Sequence, residues 1–360
     1  MDNVLRGLQN DFCIAYIDDI LVFSRSFEER ALHLRQVFDR LRRFNFKIQL
    51  DKTEFLRKEV QYLGYVITPE GVRCNPDKIF CIKNYPIPDT TAKIKAFLGL
   101  LSYYRRFIPD FARITKPFTL RLKKGVKINV KDLDFVECFE TCKNLLSNDP
   151  ILQFPKWDLP FNLCCDASSV SIGSVLSQGP PNADLPIAYA SRTLNAAEMN
   201  YSTIERELLA IVWSVKHFRP YLYGRKFTLF TDHRPLVWLF SLKEPNSKIM
   251  RWRLQLEEYD FDIKHKKGKM NTNADALSRI EINVMPANRN LSLVGNTSDD
   301  DVSDDEIPLP PRSKPVDPVL QPGPALTVHS EINHPVADIP IDDKIVSIRG
   351  NDGAMCNTAK

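Results

Sequence analysis

No run of about 18 apolar residues occurs anywhere in the chain, which argues against a membrane-spanning helix. The opening residues, Met1-Asp2-Asn3-Val4-Leu5-Arg6, contain no apolar h-region and no cleavage site, so no secretory signal is expected. The 8 cysteines include no CxxC pair. Cys164-Cys165 are adjacent within an apolar run and read as small core residues. Cys138 and Cys142 lie four apart on an expected helix with no histidine pair nearby, which is a poor zinc site. The plain expectation is reduced thiols in an intracellular, cytoplasmic setting, without a membrane partner.

The chain does have a globular composition: 43% hydrophobic, 10% aromatic and 26% charged residues. At 360 residues it suits two domains plus tails. The formal charge of +4 is unevenly spread. From Glu281 onward there are 6 basic and 13 acidic side chains, against 43 and 32 before it. The body therefore carries +11 and the tail −7. A basic body points to a polyanion, nucleic acid first. The tail combines the acidic blocks Ser298-Asp299-Asp300-Asp301 and Asp304-Asp305-Glu306 with seven prolines between Pro308 and Pro324, and it has no aromatic residue. Such a segment buries too little apolar surface to offset its ordering entropy, so residues 283–360 are expected to be a disordered acidic tail.

The body opens with two apolar runs, Phe12-Cys13-Ile14-Ala15-Tyr16-Ile17 and Ile20-Leu21-Val22-Phe23, separated by Asp18-Asp19. This reads as a β-hairpin. Asp is an ordinary turn residue, but hairpin turns favour Gly at the second position. Two adjacent carboxylates at a tip repel each other, and a divalent cation relieves that repulsion. Ser26-Phe27-Glu28-Glu29 then has a capping-box pattern opening a helix, with Ala31, Leu34, Val37, Phe38 and Leu41 at helical spacing. Phe46–Leu50 and Val60–Ile67 alternate as strands, the second closed by a turn at Pro69-Glu70-Gly71.

Here the chain resembles a known family. Tyr16-Ile17-Asp18-Asp19-Ile20-Leu21-Val22-Phe23-Ser24 is similar to the catalytic hairpin of reverse transcriptases in gypsy-type LTR retrotransposons. Tyr62-Leu63-Gly64-Tyr65 resembles the hairpin that grips the primer terminus, and Asp51-Lys52-Thr53-Glu54-Phe55 the loop whose lysine lies near the incoming nucleotide. Thr91 to Lys124 resembles the thumb and connection. Its Lys93, Lys95, Arg105 and Arg106 interleave with Phe97, Tyr103, Tyr104 and Phe107, a mixture that suits phosphates, with most of the rings in the core. In this family a further aspartate on an upstream strand completes the polymerase metal site. Asp2 and Asp11 do not sit in such a motif, so the polymerase region is expected to be incomplete.

A second pattern starts at Pro160. Strands at 161–166, 172–176 and 187–190 are followed by a capped helix at Ser202-Thr203-Ile204-Glu205, a strand ending at Asp232 and short helices near 236–240 and 249–256. A strand at 259–264 and a helix over 271–279 close the set. This order is ribonuclease H-like. Asp166 and Asp232 each close a strand, Glu207 lies one turn into the helix and Asp275 starts the last helix. Glu205 competes with Glu207 but is accounted for by the capping box. Each acid alone is an ordinary cap or turn residue. In-line hydrolysis of a phosphodiester, however, wants gathered carboxylates to hold cations.

Asp166-Ala167-Ser168, Ile187–Leu194, Glu205–Trp213, Thr231–Leu236 and Asn273–Arg279 all resemble the gypsy-type ribonuclease H domain, with Cys165 in place of Thr and Ser171 in place of Gly. By that resemblance, Asp166, Glu207, Asp232 and Asp275 are ligands for Mg²⁺, as are Asp18 and Asp19 in the polymerase hairpin. Tyr62, Leu63, Gly64, Lys93, Lys95, Arg105 and Arg106 contact nucleic acid. The implied fold is α/β (α+β). The expected parts are palm (1–85), thumb and connection (86–155), a ribonuclease H-like mixed five-stranded sheet with helices (156–282), and the tail. The implied partners are RNA–DNA hybrid and primer–template, within a longer Pol polyprotein that has protease and integrase, in the cytoplasm or a virus-like particle. The other reading is a catalytically inactive remnant that only binds nucleic acid. A transcription factor or an integrase lacks support, because there is no zinc-finger spacing and no integrase-like core.

Overall fold

The computed structural model describes residues 1–180, 183–236 and 247–266, and the backbone of 344–349. Its first sheet is built on the acidic hairpin. Strands β1 (Cys13–Tyr16) and β2 (Asp19–Ser24) pair antiparallel, with Cys13 opposite Val22 and Tyr16 opposite Asp19. The turn residues are therefore Ile17 and Asp18, and Asp19 opens β2. The sequence placed the turn one residue later, at Asp18-Asp19. Ile17 takes a φ of 55°, a region that β-branched residues rarely enter. Both faces of β2 are buried, with Ile20, Leu21, Val22 and Phe23 all in cores.

Helix α1 (Phe27–Arg43) starts where the capping pattern put it, since Ser26 accepts from the Glu29 amide. It ends in a reversal at Asn45, which has a φ of 60°. The Phe46 and Asn45 amides bond back to the Leu41 and Arg42 carbonyls, satisfying two orphaned acceptors. Phe46–Leu50, expected as a strand, is irregular and leads into a 3-10 turn at Leu50–Lys52. Its alternation has no ladder partner to use. The strand forms later, as β3 (Glu54–Arg57).

Val60–Ile67 is two strands rather than one, β4 (Val60–Tyr62) and β5 (Tyr65–Thr68), turning at Leu63-Gly64. β6 (Gly71–Cys74) and β7 (Ile151–Leu152) complete that sheet. Helices α2 (Pro76–Lys83), α3 (Thr91–Tyr103), α4 (Phe111–Ile114), α5 (Lys116–Arg121) and α6 (Leu133–Ser147) lie between β6 and β7. One core joins Tyr62, Tyr65, Ile67 and Val72 to Ile94, Phe97, Phe118 and Phe139. The expected boundary at residue 85 therefore does not separate two cores. The return of the chain through β7 ties the helices to the sheet.

The third sheet has its own core, from Phe161 through Tyr259. Strands β8 (Phe161–Ala167), β9 (Ser171–Gln178) and β10 (Leu185–Thr193) form an antiparallel meander. After α7 (Ala196–Met199), α8 (Thr203–His217) and α9 (Arg219–Leu222), β11 (Phe227–Thr231) adds parallel to β8. Helix α10 (Ser247–Leu256) precedes β12 (Phe261–His265), which pairs parallel to β11. The strand order is β10-β9-β8-β11-β12, a mixed five-stranded sheet as the sequence implied.

Residues 344–349 depart from the expected tail. They form β13 (Lys344–Arg349), antiparallel to both β2 and β3, so that the first sheet runs β1-β2-β13-β3. The acidic and proline-rich composition that suggested disorder lies ahead of this segment. Ile345-Val346-Ser347-Ile348 is itself an apolar, β-branched run suited to a central strand. Phe23 donates its amide to Phe12 across β1, so the alternate amides of Ile20, Val22 and Ser24 point towards β13. Deleting residues 335–360 is expected to speed hydrogen exchange at those three amides while Leu21 and Phe23 stay protected. Residue-resolved exchange checks this, and an unchanged pattern would mean that β13 adds nothing to β2.

Candidate active site

Register explains how the acids converge. β11 lies on β8 with Phe230 opposite Cys164, so Asp232, two residues on, comes level with Asp166. Parallel strands put both carboxylates at the same end of the sheet. The chain bends at Asp232, whose carbonyl contacts His265 Nε2 at 3.1 Å, from the end of β12. Helix α8 crosses β8 and supplies Glu207 from its buried face. Its start is fixed by a capping box: Ser202 and Glu205 bond each other's backbone amides. Glu205 also pairs with Lys248 at 3.2 Å. The two competing glutamates fall in different settings. Glu205 is a cap held by a lysine, and Glu207 faces the other acids.

Asp166, Glu207 and Asp232 offer carboxylate oxygens that all lie within 4.8 Å of one another. Among the described residues this is the one group of three or more His, Cys, Asp or Glu so placed. Asp166 and Asp232 are exposed, whereas Glu207 is only 5% exposed. Glu207 Oε2 is buried without a hydrogen-bond partner. Burying an acceptor without a partner costs roughly 1–3 kcal/mol, and a bound cation would remove that cost. Three hard oxygen donors, one of them unsatisfied and buried, fit a divalent ion such as Mg²⁺.

The electrostatics agree. Burial, then the charges of Asp166 and Asp232, push Glu207 up from 4.5 to about 8. Desolvation, then Asp110 and Asp232, push Asp166 up from 3.8 to about 6. Water at the open rim of Asp166 relieves part of that desolvation, so the charge crowding is the firmer cause. Without a cation this site holds protons near neutral pH. A cation would displace them. Asp275, the fourth acid of the sequence reading, lies outside the described residues.

The departures at Cys165 and Ser171 are accommodated. Cys165 is buried in the core of the third sheet. Ser171 bonds Ser168 through its amide at 2.9 Å and its hydroxyl at 3.0 Å, bracing the turn after Asp166.

The remaining expected site residues fall into separate settings. Asp18 and Asp19 are half-buried at the first hairpin and belong to no group of three metal-ligating side chains among the described residues. Tyr62 is buried, and burial followed by the charge of Asp19 raises its phenol pKa. Leu63 and Gly64 form the turn, with φ values of 47° and 72°. Tyr103 donates its hydroxyl to the Leu63 carbonyl, and Tyr104 donates to that of Gly64 at 2.7 Å. The positive φ at Gly64 favours glycine, and a Cβ there would stand 2.9 Å from the Tyr103 hydroxyl oxygen, which would have to shift. Lys93 is exposed and pairs with Asp89 at 2.7 Å, and Lys95 is exposed. Arg105 donates to the Ser191 carbonyl at 3.0 Å, and Arg106 Nε is buried. Lys93 and Arg105 thus have partners within the fold, whereas Arg106 Nε is buried without one. Asp110, which sequence reasoning passed over, lies close enough to Asp166 to act on it. Nothing in the local sequence marks it, because the approach is created by packing between segments distant in the chain.

Two family models match, each covering one acidic site. Residues 1–67 match "Reverse transcriptase (RNA-dependent DNA polymerase)" and residues 156–259 match "RNase H-like domain found in reverse transcriptase". Over 282 residues the chain is 51% identical to the retrovirus-related Pol polyprotein from transposon 297 of Drosophila melanogaster, covering 78% of this chain and 26% of that protein. The chain belongs to the retrovirus-related Pol polyproteins of retrotransposons. The Pol polyprotein from transposon gypsy of the same organism is 39% identical over 297 residues, covering 79% of this chain and 28% of that one. This Pol chain therefore spans about a quarter of the length of those relatives. Among solved structures, a foamy viral protease-reverse transcriptase in complex with double-stranded DNA aligns with a TM-score of 0.64 at 22% identity, covering 74% of this chain and 47% of that one. The same type of protein in complex with an RNA/DNA hybrid gives 0.61 at 20%, covering 84% and 39%. These likenesses establish the Pol fold.

Proposed function

We propose that this Pol chain hydrolyses the RNA strand of RNA–DNA hybrids, using Asp166, Glu207 and Asp232, with Asp275, to hold Mg²⁺. The observation that carries the reading is the buried Glu207, with Oε2 unpartnered, grouped with two strand-end carboxylates. When bound, Mg²⁺ lowers the pKa of water for attack on phosphorus and steadies the departing 3′ oxygen. The protein's own part is positional. β8 and β11 fix two carboxylates level with each other, and α8 brings the third from a buried face that excludes water. Asp166 and Glu207, with raised pKa values, release protons as the cation binds. Selection for RNA would come from the 2′-OH and the minor-groove shape of the hybrid.

The first two sheets and their helices have a supporting role, which is to grip hybrid or primer–template. Asp18 and Asp19 would serve as metal ligands of the polymerase site, and Tyr62, Leu63, Gly64, Lys93 and Lys95 would lie along the nucleic acid. The working protein is proposed to be a longer Pol polyprotein with protease and integrase, as the length of the relatives suggests.

The test is cleavage of an end-labelled RNA–DNA hybrid in Mg²⁺ or Mn²⁺, with the DNA strand expected to stay intact. Hybrid binding with no cleavage in either ion would leave the binding-only remnant as the better account. Binding should also be steeply salt-dependent, with a log–log slope of about −4 to −8, because the basic body releases counterions from phosphates. Replacing Asp299, Asp300, Asp301, Asp304 and Asp305 with Asn should leave binding equal or tighter. Filter binding across a salt series checks both. A flat salt response would contradict phosphate engagement by the body.

A further inference from the structure

We infer that Asp110, supplied by the segment ahead of the nuclease core, is a positioning residue of the carboxylate site that stands beside Asp166 and raises the site's affinity for a divalent cation. The inference rests on the cation-site reading above.

Three residues define a row across the sheet: Asp166 on β8 is opposite Gly173 on β9, and Gly173 is opposite Ser191 on β10. Directly opposed residues of antiparallel strands point to the same face, with Cβ atoms about 5 Å apart. Gly173 leaves the middle place in this row without a side chain. Asp110 fills it. An ideal Cβ on Gly173 would collide with Asp110 Oδ1. The carboxylate of Asp110 therefore occupies the volume a residue-173 side chain would have taken, next to Asp166.

The approach is built rather than incidental. Asp110 stands at the start of α4 with a φ of 49°, yet its side chain makes no capping bond to that helix. The adjoining backbone is pinned to the same row. The Ala112 amide donates to Ser191 Oγ at 2.9 Å, and Arg105 donates to the Ser191 carbonyl at 3.0 Å. Arg113 pairs with Asp110 Oδ2 at 3.1 Å, which leaves Oδ1 at Gly173. Independently, Glu207, grouped with Asp166 at the carboxylate site, is buried with Oε2 unpartnered, as suits a cation site. Mg²⁺ keeps several of its waters when bound to protein, and such waters need acceptors beyond the direct ligands. A fixed carboxylate in the Gly173 place is suited to that.

The experiment measures Mn²⁺ binding to the full chain by electron paramagnetic resonance, with thermal unfolding in chelator alongside. Asp166→Asn is expected to abolish tight binding. Asp110→Asn, which keeps shape and removes charge, is expected to weaken it roughly 3- to 10-fold without lowering the chelated melting temperature. Gly173→Ala, which displaces the carboxylate but keeps its charge in the molecule, should weaken Mn²⁺ binding as well. If Asp166→Asn binds Mn²⁺ as the parent does, the cation-site reading itself fails. If Asp166→Asn loses binding while Asp110→Asn and Gly173→Ala match the parent, only the role of Asp110 is overturned. A lowered melting temperature in chelated Asp110→Asn would make the contact structural and would equally overturn it.

Discussion

Asp232→Asn is expected to reduce cleavage of the RNA strand by more than about 100-fold while hybrid binding survives in large part. Groups that merely orient metal ligands are worth roughly 10- to 100-fold in affinity or activity, so loss of a direct ligand should exceed that range. Asp232 is exposed at the end of β11 and is not needed to fill a core, so the folded state should persist. Circular dichroism and hybrid binding on the same preparation separate loss of chemistry from loss of fold. Undiminished cleavage by this variant would remove the metal site from consideration.

The second large effect concerns Glu207 and has opposite signs for stability and activity. In chelator, the folded protein holds Glu207 at about 8 against an ordinary 4.5. Between those values the folded state carries a proton that the unfolded chain has released. Stability of the metal-free protein therefore falls as pH rises through that window and levels off above about 8. Asp166, raised to about 6, adds to the slope at its acidic end. Glu207→Gln removes the larger part, so at pH near 8.5 the variant should be more stable than the parent by roughly 1–3 kcal/mol. It should also lose cleavage and most of the stabilisation that Mg²⁺ gives the parent. Glu205→Gln is the control. Losing part of a cap should cost on the order of 1 kcal/mol or less, with cleavage retained. Melting curves in chelator and in Mg²⁺ at two pH values, with a cleavage assay, decide the matter. Equal loss of cleavage in folded Glu205→Gln and Glu207→Gln would overturn the assignment between the two glutamates.

What was legible in the sequence followed the reach of each signal. Asp166 and Asp232 each close an apolar strand, but that local pattern alone marked only ordinary cap or turn residues, and the resemblance to the gypsy-type ribonuclease H domain singled them out. Glu205 declared itself through its spacing from Ser202. Periodicity placed Glu207 only on the flank of the α8 stripe. Its burial and its unpartnered oxygen depend on β8 and β11, which no helical pattern encodes. Phe46–Leu50 misled because alternation states which faces a strand would have, and says nothing of whether a neighbouring strand is there to pair. The hairpin turn shifted by one residue because Ile17 accepts a left-handed backbone that its side chain disfavours. Arg105 read as a phosphate contact from its basic, aromatic surroundings. Its use on the Ser191 carbonyl, like the seating of Asp110 at Gly173, comes from packing between segments far apart in the chain.

The position of β13 between β2 and β3 also bears on how the protein comes into being. The third sheet draws its strands from one continuous stretch, Phe161 to His265, and can close as soon as that stretch has left the ribosome. The first sheet cannot. β2 and its partner β13 lie about 320 residues apart in the sequence (Ser24 opposite Lys344), so closing that ladder means closing a loop of that length. Until then, one edge of an apolar strand stands open during synthesis, a template for pairing with any other nascent strand. β2, in the first hairpin, thus gains its full set of hydrogen bonds only after the strands of the third sheet have been made.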